Sequence, residues 1–278
     1  MPSKVFADLH IHSIASDGTF TPTEVVARAV ELGLHAIALT DHDTVAGLAE
    51  AMAAAEEAGL DFVPGIEMGS DVGDRDIHIL GYYVDYQSPD FLSYLEDLKK
   101  KRLTRAADMC ERLTAAGMPL TLDEALRQTT NGLLTRAHIA RAVVAAGYAR
   151  NIGEVFELHL GNGKPCFVPK YNFTAGDVIA AIKAAGGIPV LAHPQLSRAD
   201  EKIPELVEQG LMGLEGHCLD HKRHDVEHYI ELADKYGLIV TGGSDCHGPR
   251  TPGRFTMGSC GVDEPRLRLL KQAAGRPA

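Results

Sequence analysis

The chain has 278 residues, 45% of them apolar and 23% charged, with a formal net charge of −11. This is the composition of a soluble globular protein able to bury one barrel-sized core with an elaboration. No apolar run approaches the roughly 20 residues that span a bilayer, and the acidic balance argues against a protein built to coat duplex nucleic acid. The five cysteines are odd in number and irregularly spaced, which points to a reducing compartment rather than a disulfide framework. The N-terminus enters strand-like sequence with no signal-peptide apolar region, so the expected location is the cytoplasm.

Seven short segments read as strands: Lys4–His10, His35–Thr40, Asp61–Ile66, Asp76–Val84, Ile188–Ala192, Leu211–Glu215 and Leu238–Gly242. Most are near-continuous apolar runs, as expected of parallel strands buried on both faces. Helical patterns separate them. Thr21-Pro22-Thr23-Glu24 opens one that Gly33 closes, Ala46–Ala58 stops at Gly59, Ala175–Ala185 at Gly186, and Asp225–Tyr236 at Gly237. Strand alternating with helix predicts a parallel α/β fold. The alternation fails between about Tyr94 and Phe167, where Leu95, Leu98, Ala106, Met109 and Leu113 recur at helical spacing. Short helices follow at Leu122–Arg127, Arg136–Ala146 and Ile152–His159. The expected division is therefore a barrel over 1–98 and 168–278, with an all-helical insertion over 99–167 that caps the substrate. From Lys99 to Lys170 there are 12 Lys/Arg against 6 Asp/Glu, a net of +6 inside an acidic protein. That stretch is either a solvated basic face or a cap turned toward an anionic ligand.

Chemistry collects where the apolar runs end. His10 and His12 lie two apart at the close of the first run, so on a strand both imidazoles share a face and can reach one ion. Asp17 follows in Ser16-Asp17-Gly18; read alone it would be a turn-former. Thr40-Asp41-His42-Asp43 comes directly after the second run, with Asp43 suited to capping the next helix. Glu67 ends the third, where a carboxylate can bridge two ions held roughly 3.5–4 Å apart. His78 lies inside Ile77-His78-Ile79 and by itself would be a core histidine. His193-Pro194 ends the fifth run. Asp245-Cys246-His247 follows the seventh, with Asp245 and His247 on one face and Cys246 turned away. Imidazole and carboxylate without thiolate form the ligand set for Mn, Fe or Zn. The pattern is that of a polynuclear metal hydrolase, and Cys218 is read as a small buried hydrophobe rather than a ligand.

In order, His10-x-His12, Ser16-Asp17-Gly18, Thr40-Asp41-His42, Glu67, His78, His193-Pro194 and Asp245-x-His247 resemble the motifs of the PHP (polymerase and histidinol phosphatase) superfamily. The resemblance runs from about Val5 to His247. It implies an α/β fold, a distorted seven-stranded (β/α)7 barrel of the PHP type with a small helical insertion. It also implies phosphoester hydrolysis with two to three divalent ions, Mn2+ favoured and Fe2+ or Zn2+ as alternatives. By the family pattern one ion would be held by His10, His12, Glu67 and Asp245, a second by Glu67, His78 and His193, and a third by Asp17, His42 and His247. The nucleophile would be a hydroxide bridging two ions, held at Glu67.

Leu134-Thr135-Arg136-Ala137-His138-Ile139-Ala140 and Gly163-Lys164-Pro165 resemble the insert of free-standing members that act on 3′,5′-nucleoside bisphosphates and short RNA ends. Glu215 and Asp220-His221 stand where those members carry an acidic residue and an Asp-His pair. Gly216-His217-Cys218 departs from the bulkier aromatic residues expected between them. The resemblance thus implies release of the 3′-phosphate from a bisphosphate such as 3′,5′-adenosine bisphosphate, with 5′-3′ trimming of short RNA beside it. Arg136, with a planar bidentate grip, would hold a second phosphate, flanked by His138 and Lys164, and His221 would be a substrate contact and general acid. Read from spacing alone, Arg136 and Lys164 could be a helix cap and a solvated loop residue, and His217, His221, His224 and His228 a helical surface stripe. Three ions carrying about +6 against Asp17, Glu67 and Asp245 would leave the site cationic and attractive to phosphate. Two further readings are a histidinol phosphatase-like or other small phosphomonoesterase, and an amidohydrolase barrel cleaving amides or lactones. The latter also begins with His-x-His but wants a bridging carboxylated lysine on a central strand. A non-enzymatic metal-binding module is the remaining class.

Overall fold

The computed structural model describes residues 5–72, 75–129, 134–169, 174–249 and 255–277. Lys4, at the start of the expected first strand, and Lys170, at the end of the basic stretch, lie outside the described residues. The chain divides into two compact units, Met1–Ser93 with Phe173–Ala278, and Tyr94–Asn172.

In the first unit the described strands are β1 Ala7–Asp8, β2 Ala36–Leu39, β3 Asp61–Val72, β4 Arg75–Tyr82, β5 Ile188–Leu191, β6 Gly213–Cys218 and β7 Ile239–Gly243. They are hydrogen-bonded in that order. The two edges then meet. Leu9 N–H donates to Gly242 O at 3.1 Å, His12 N–H donates to Cys246 O at 2.8 Å, and a parallel bridge joins Ile11 to Cys246. The sheet is a distorted barrel, with an interior that includes Leu9, Ala38, Val63, Leu80, Tyr82 and Val190, each at most 1% exposed. Sheet closure removes the open edges that would otherwise leave backbone groups unpaired.

The helices follow local signals. α1 (Pro22–Glu31) starts with proline at its first position and a capping box between Thr21 and Glu24, and it buries Val25, Val26 and Ala29. α2 (Leu48–Ala58) ends at Gly59, which takes the left-handed conformation at φ 66°. α3 is Pro89–Ala115, α4 Leu122–Leu126, α5 Arg136–Ala145 and α6 Ile152–Val155, which runs into a π turn over Phe156–Leu160. α7 (Ala175–Ala184), α8 (Pro194–Ser197), α9 (Ile203–Glu208), α10 (Arg223–Tyr236) and α11 (Glu264–Ala273) belong to the first unit. The second unit has its own apolar core, with Met109, Leu113, Ile139, Val143, Val155 and Leu160 at its centre. Among the described residues no helix is long and apolar enough to cross a membrane.

The sheet departs from the all-parallel expectation in one place. β4 runs antiparallel to both β3 and β5, while the remaining neighbours are parallel. A parallel return needs a crossover of a dozen or more residues, and only two residues separate β3 from β4. β3 is also longer than its apolar run. Its pairing with β2 ends at Leu39 and Pro64, and beyond that it continues beside β4, with Glu67 opposite Leu80 and Gly69 opposite His78. Glu67 therefore does not end a strand; it sits where β3 leaves its parallel neighbour, tied across by a bridge to His42. Asp43 does not cap α2 either. It takes φ 46° and accepts Gly69 N–H at 3.1 Å, and the cap position of α2 is Gly47.

Gly243 closes the barrel because a Cβ there would collide with the backbone N and the Cβ of His10. Backbone cannot yield as a flexible side chain would. Gly243→Ala is expected to lower unfolding free energy by about 1–3 kcal/mol, the usual range for overpacking, measured by urea denaturation. An unchanged midpoint would show that the approach of β7 to β1 is not tight.

Candidate metal centre

Glu67 is buried and surrounded by imidazoles. Its Oε2 lies 3.2 Å from His10 Nε2, 3.2 Å from His12 Nε2 and 3.1 Å from His42 Nδ1; its Oε1 lies 2.7 Å from His78 Nδ1 and 3.0 Å from His193 Nε2. The antiparallel ribbon explains the shortest of these. Glu67 and His78 are diagonal neighbours on one face of β3 and β4, the spacing at which long cross-strand side chains meet. Because β4 runs the other way, its histidine precedes rather than follows the buried end of the strand. Asp245 Oδ1 adds contacts of 3.1 Å to His12 and 3.5 Å to His10. Asp17 Oδ1 lies 3.2 Å from His247 Nε2, and His247 stacks on His12 with ring centroids 4.1 Å apart. All nine residues expected as ligands thus converge on one region of the first unit.

The 3.1–3.2 Å separations around Glu67 Oε2 suit an ion better than direct bonds, whereas Oε1 lies within hydrogen-bond distance of His78 Nδ1 and His193 Nε2. Two donors held on one ion at about 2.1 Å, at right or tetrahedral angles, lie about 3.0–3.4 Å apart. His10 Nε2, both ring nitrogens of His12 and Glu67 Oε2 are buried yet form no hydrogen bond of acceptable geometry. Three sets of donor atoms each fit within 4.8 Å: His10, His12, Glu67 and Asp245; His12, Asp17, His42 and His247; and His42, Glu67 and His78. Among the described residues the ion-pair partners of Glu67 and Asp245 are all histidines. Buried carboxylates without a permanent cation are costly, so the residues present fit divalent metal.

Titration leads to the same conclusion. Burial pushes Glu67 up, but His42, His10 and His78 outweigh it and hold the carboxyl well below its usual range. Asp245 and Asp17 are lowered in the same way, against burial, by His10 and His12 and by His42 and His247 respectively. Burial lowers His10 and His12, yet the surrounding carboxylates raise both, His12 to about 10. His42 is pushed down to about 3, first by burial and then by the neighbouring His12 and His78, though Glu67 and Asp17 oppose this. Protons on some imidazoles stand in for the cations that the carboxylates demand.

A second layer of buried acids holds the ligands. Glu215 Oε1 lies 2.9 Å from His10 Nδ1, and its Oε2 accepts His193 N–H at 2.7 Å. Asp41 accepts from Ser13 N–H, Ser13 Oγ and Ser16 Oγ at 2.6–2.7 Å, pinning the loop that carries Asp17. Asp8 accepts from Ser244 and Gly258 N–H, tying β1 to the segment after β7. His193 (φ 27°) and Asp245 (φ 49°) occupy the left-handed region that non-glycine residues avoid. Such strain costs about 1–3 kcal/mol per residue and persists where surrounding contacts over-determine it. None of these three acids was among the expected site residues. Their positions beside ligand-bearing segments were the available signal, but a sequence does not say which acid binds an ion and which braces a ligand.

The expected substrate residues have other described contacts. His221 Nδ1 lies 2.9 Å from Gly216 O and must donate, leaving Nε2 as its second site; the ring stacks on Tyr229 at 5.1 Å. It is not part of a helical stripe, since His217 is on β6, His221 follows it, and only His224 and His228 lie on α10. Cys218 is a buried thiol, and Cys246 Sγ accepts Gly248 N–H. In the second unit Arg136 donates from Nη1 to Asn162 Oδ1 at 2.8 Å, and its guanidinium lies 5.4 Å from the Phe167 centroid. His138 is buried and forms the capping box of α5 with Thr135, and Lys164 is exposed.

Residues 8–137 match the family model described as the PHP domain. The chain is 37% identical over 280 residues to the 3′,5′-nucleoside bisphosphate phosphatase of Chromobacterium violaceum, covering 98% of each. It is 36% identical to the 5′-3′ exoribonuclease of Haemophilus influenzae, covering 87% of this chain and 90% of that one. Its fold matches the crystal structure of a Bifidobacterium adolescentis protein assigned as a metal-dependent phosphoesterase, with a TM-score of 0.87, 34% identity and 98% of both chains covered. Likeness at that identity along nearly the whole length shows that the chain belongs to the PHP family.

Proposed function

We propose that this protein is a metal-dependent phosphoesterase that releases the 3′-phosphate of 3′,5′-nucleoside bisphosphates, and that it also trims short RNA from the 5′ end. The observation that carries the reaction class is Glu67, whose two oxygens face different histidines within a buried cluster of nine donors. The full-length likeness to a bisphosphate phosphatase and to an exoribonuclease supports the substrate class. In this reading His10, His12, Glu67 and Asp245 hold one ion, Glu67, His78 and His193 a second, and Asp17, His42 and His247 a third, with Mn2+ favoured. When bound, the ions polarise phosphoryl oxygens and acidify a water. His221 offers Nε2 to the leaving oxygen and donates in its imidazolium form. Arg136 holds the second phosphate, since its planar fork, already braced by Asn162, suits a bidentate grip. Lys164 adds an exposed cation. His138 is kept as a substrate residue through its place on the first turn of α5 beside Arg136. A cytoplasmic location accords with five cysteines that are all free thiols. Amide or lactone hydrolysis is disfavoured because none of the described strands carries a lysine that could be carboxylated to bridge two ions.

With added Mn2+ the protein is expected to release phosphate from 3′,5′-adenosine bisphosphate far faster than from histidinol phosphate. The reverse order would remove the substrate claim and leave the reaction class. Glu67→Ala is expected to remove several kcal/mol of transition-state stabilisation, a fall in kcat/KM of about 10³-fold or more; near-normal turnover would contradict the bridging role. Arg136→Ala should raise KM for bisphosphates much more than for monophosphates, and equal effects would take Arg136 out of the second-phosphate role.

The raised imidazoles also set a pH dependence. Below pH 10 the His12 of the metal-free protein carries a proton that must leave before the ring can bind an ion. Metal uptake at pH 7 should therefore release protons, and for each proton displaced affinity should fall about tenfold per unit by which the pH is lowered. In the metal-free protein the same proton stabilises the fold, fully below about pH 6.5, and that contribution is lost as pH rises through about 10. Calorimetric titration in buffers of different ionisation enthalpy checks the first point, and identical heats in all buffers would contradict it.

A further inference from the structure

Glu215 lies on β6, is fully buried, and divides its two oxygens between groups far apart in sequence. Oε1 is 2.9 Å from His10 Nδ1, and Oε2 accepts the backbone N–H of His193 at 2.7 Å. A carboxylate can only accept, so His10 must carry its proton on Nδ1. Once the ring is neutral, as an ion requires, its lone pair is on Nε2, the nitrogen that faces Glu67 Oε2 at 3.2 Å and Asp245 Oδ1 at 3.5 Å. With the proton on the other nitrogen, His10 would present N–H to the very position where an ion needs a donor pair.

The second oxygen acts on backbone. His193 sits at φ 27° and ψ 58°, a conformation that a side chain disfavours, and its N–H is held by Glu215. That turn of the chain aims His193 Nε2 at Glu67 Oε1, 3.0 Å away. His10 and His193 thus address opposite oxygens of the bridging carboxylate, and one buried acid sets the proton of the first and the backbone of the second.

From this we propose that Glu215 is a positioning residue that couples two of the metal subsites, so that both are built or lost together. The inference rests on the metal reading of the cluster. Glutamine in its place keeps one accepting oxygen but turns the other position into a donor, and it cannot serve both His10 Nδ1–H and His193 N–H.

The test is Mn2+ titration of metal-free wild type and Glu215→Gln, with metal content measured after dialysis. Wild type is expected to take up its ions. In Glu215→Gln two binding steps should weaken together by about 10–100-fold, the usual effect of losing a ligand's supporting partner, while the step assigned to Asp17, His42 and His247 is retained. Equal affinities in the two proteins, weakening of one step alone, or uniform weakening of every step would overturn the coupling role. Absence of uptake by wild type would instead overturn the metal reading beneath it. A second measurement needs no substitution. Nitrogen NMR of the Zn2+-loaded wild type should show the His10 proton on Nδ1, and a proton on Nε2 would overturn the inference even if Glu215→Gln fails to fold.

Discussion

The structure of the first unit is organised around one costly arrangement, a buried carboxylate at Glu67 with five imidazole nitrogens within 3.2 Å and no lysine or arginine among its described ion-pair partners. Removing such charges from water costs several kcal/mol per ion unless something cationic compensates. In the metal-free protein protons on His10 and His12 do so. The departures of the fold from a regular parallel barrel serve the same arrangement. β3 runs past the end of β2 to carry Glu67 beside His42, and β4 returns antiparallel so that His78 reaches Glu67 diagonally. A glycine at 243 lets β7 approach the backbone of His10.

Around the donors lies a layer of acids that touch the ligands or the segments carrying them. Glu215, Asp41 and Asp8 are buried, and each accepts hydrogen bonds from segments that deliver donors. They restrict tautomers, loop positions and strained backbone, so the donors are set before any ion arrives. Preorganisation of this kind lets fixed dipoles and charges act in the transition state without reorganisation. It also explains how His193 and Asp245 stay in the left-handed region, since their surroundings hold them there more firmly than local preference opposes them.

Much of this was legible in the sequence because an ionisable residue at the end of a buried run is expensive unless used. His10, His12, His42, Glu67, His193, Asp245 and His247 could be picked out on that ground, whereas Asp17 and His78 entered only through the family resemblance; the structure gathers all nine. Strand direction was not legible. The run containing His78 has the same apolar character whichever way it points, and the expectation of a parallel sheet passed over the lack of a helix between it and the run before. Asp43 followed the rule for helix caps, but tertiary contact with Gly69 prevailed over local preference. His138 shows the opposite: three residues after Thr135 it occupies the position where a capping box usually has Glu or Gln, and the imidazole takes that part. The bracing role of Glu215 depends on which of its neighbours comes within 3 Å, which no spacing in the chain reveals.

The reaction class rests on Glu67 joining two ions, and diffraction from crystals soaked in Mn2+ tests this most directly. Two anomalous peaks are expected, one beside each oxygen of the Glu67 carboxylate and about 3.5–4 Å apart, with further density beside Asp17, His42 and His247. A single peak bound by one oxygen of Glu67, or no peak within reach of that carboxylate, would contradict it.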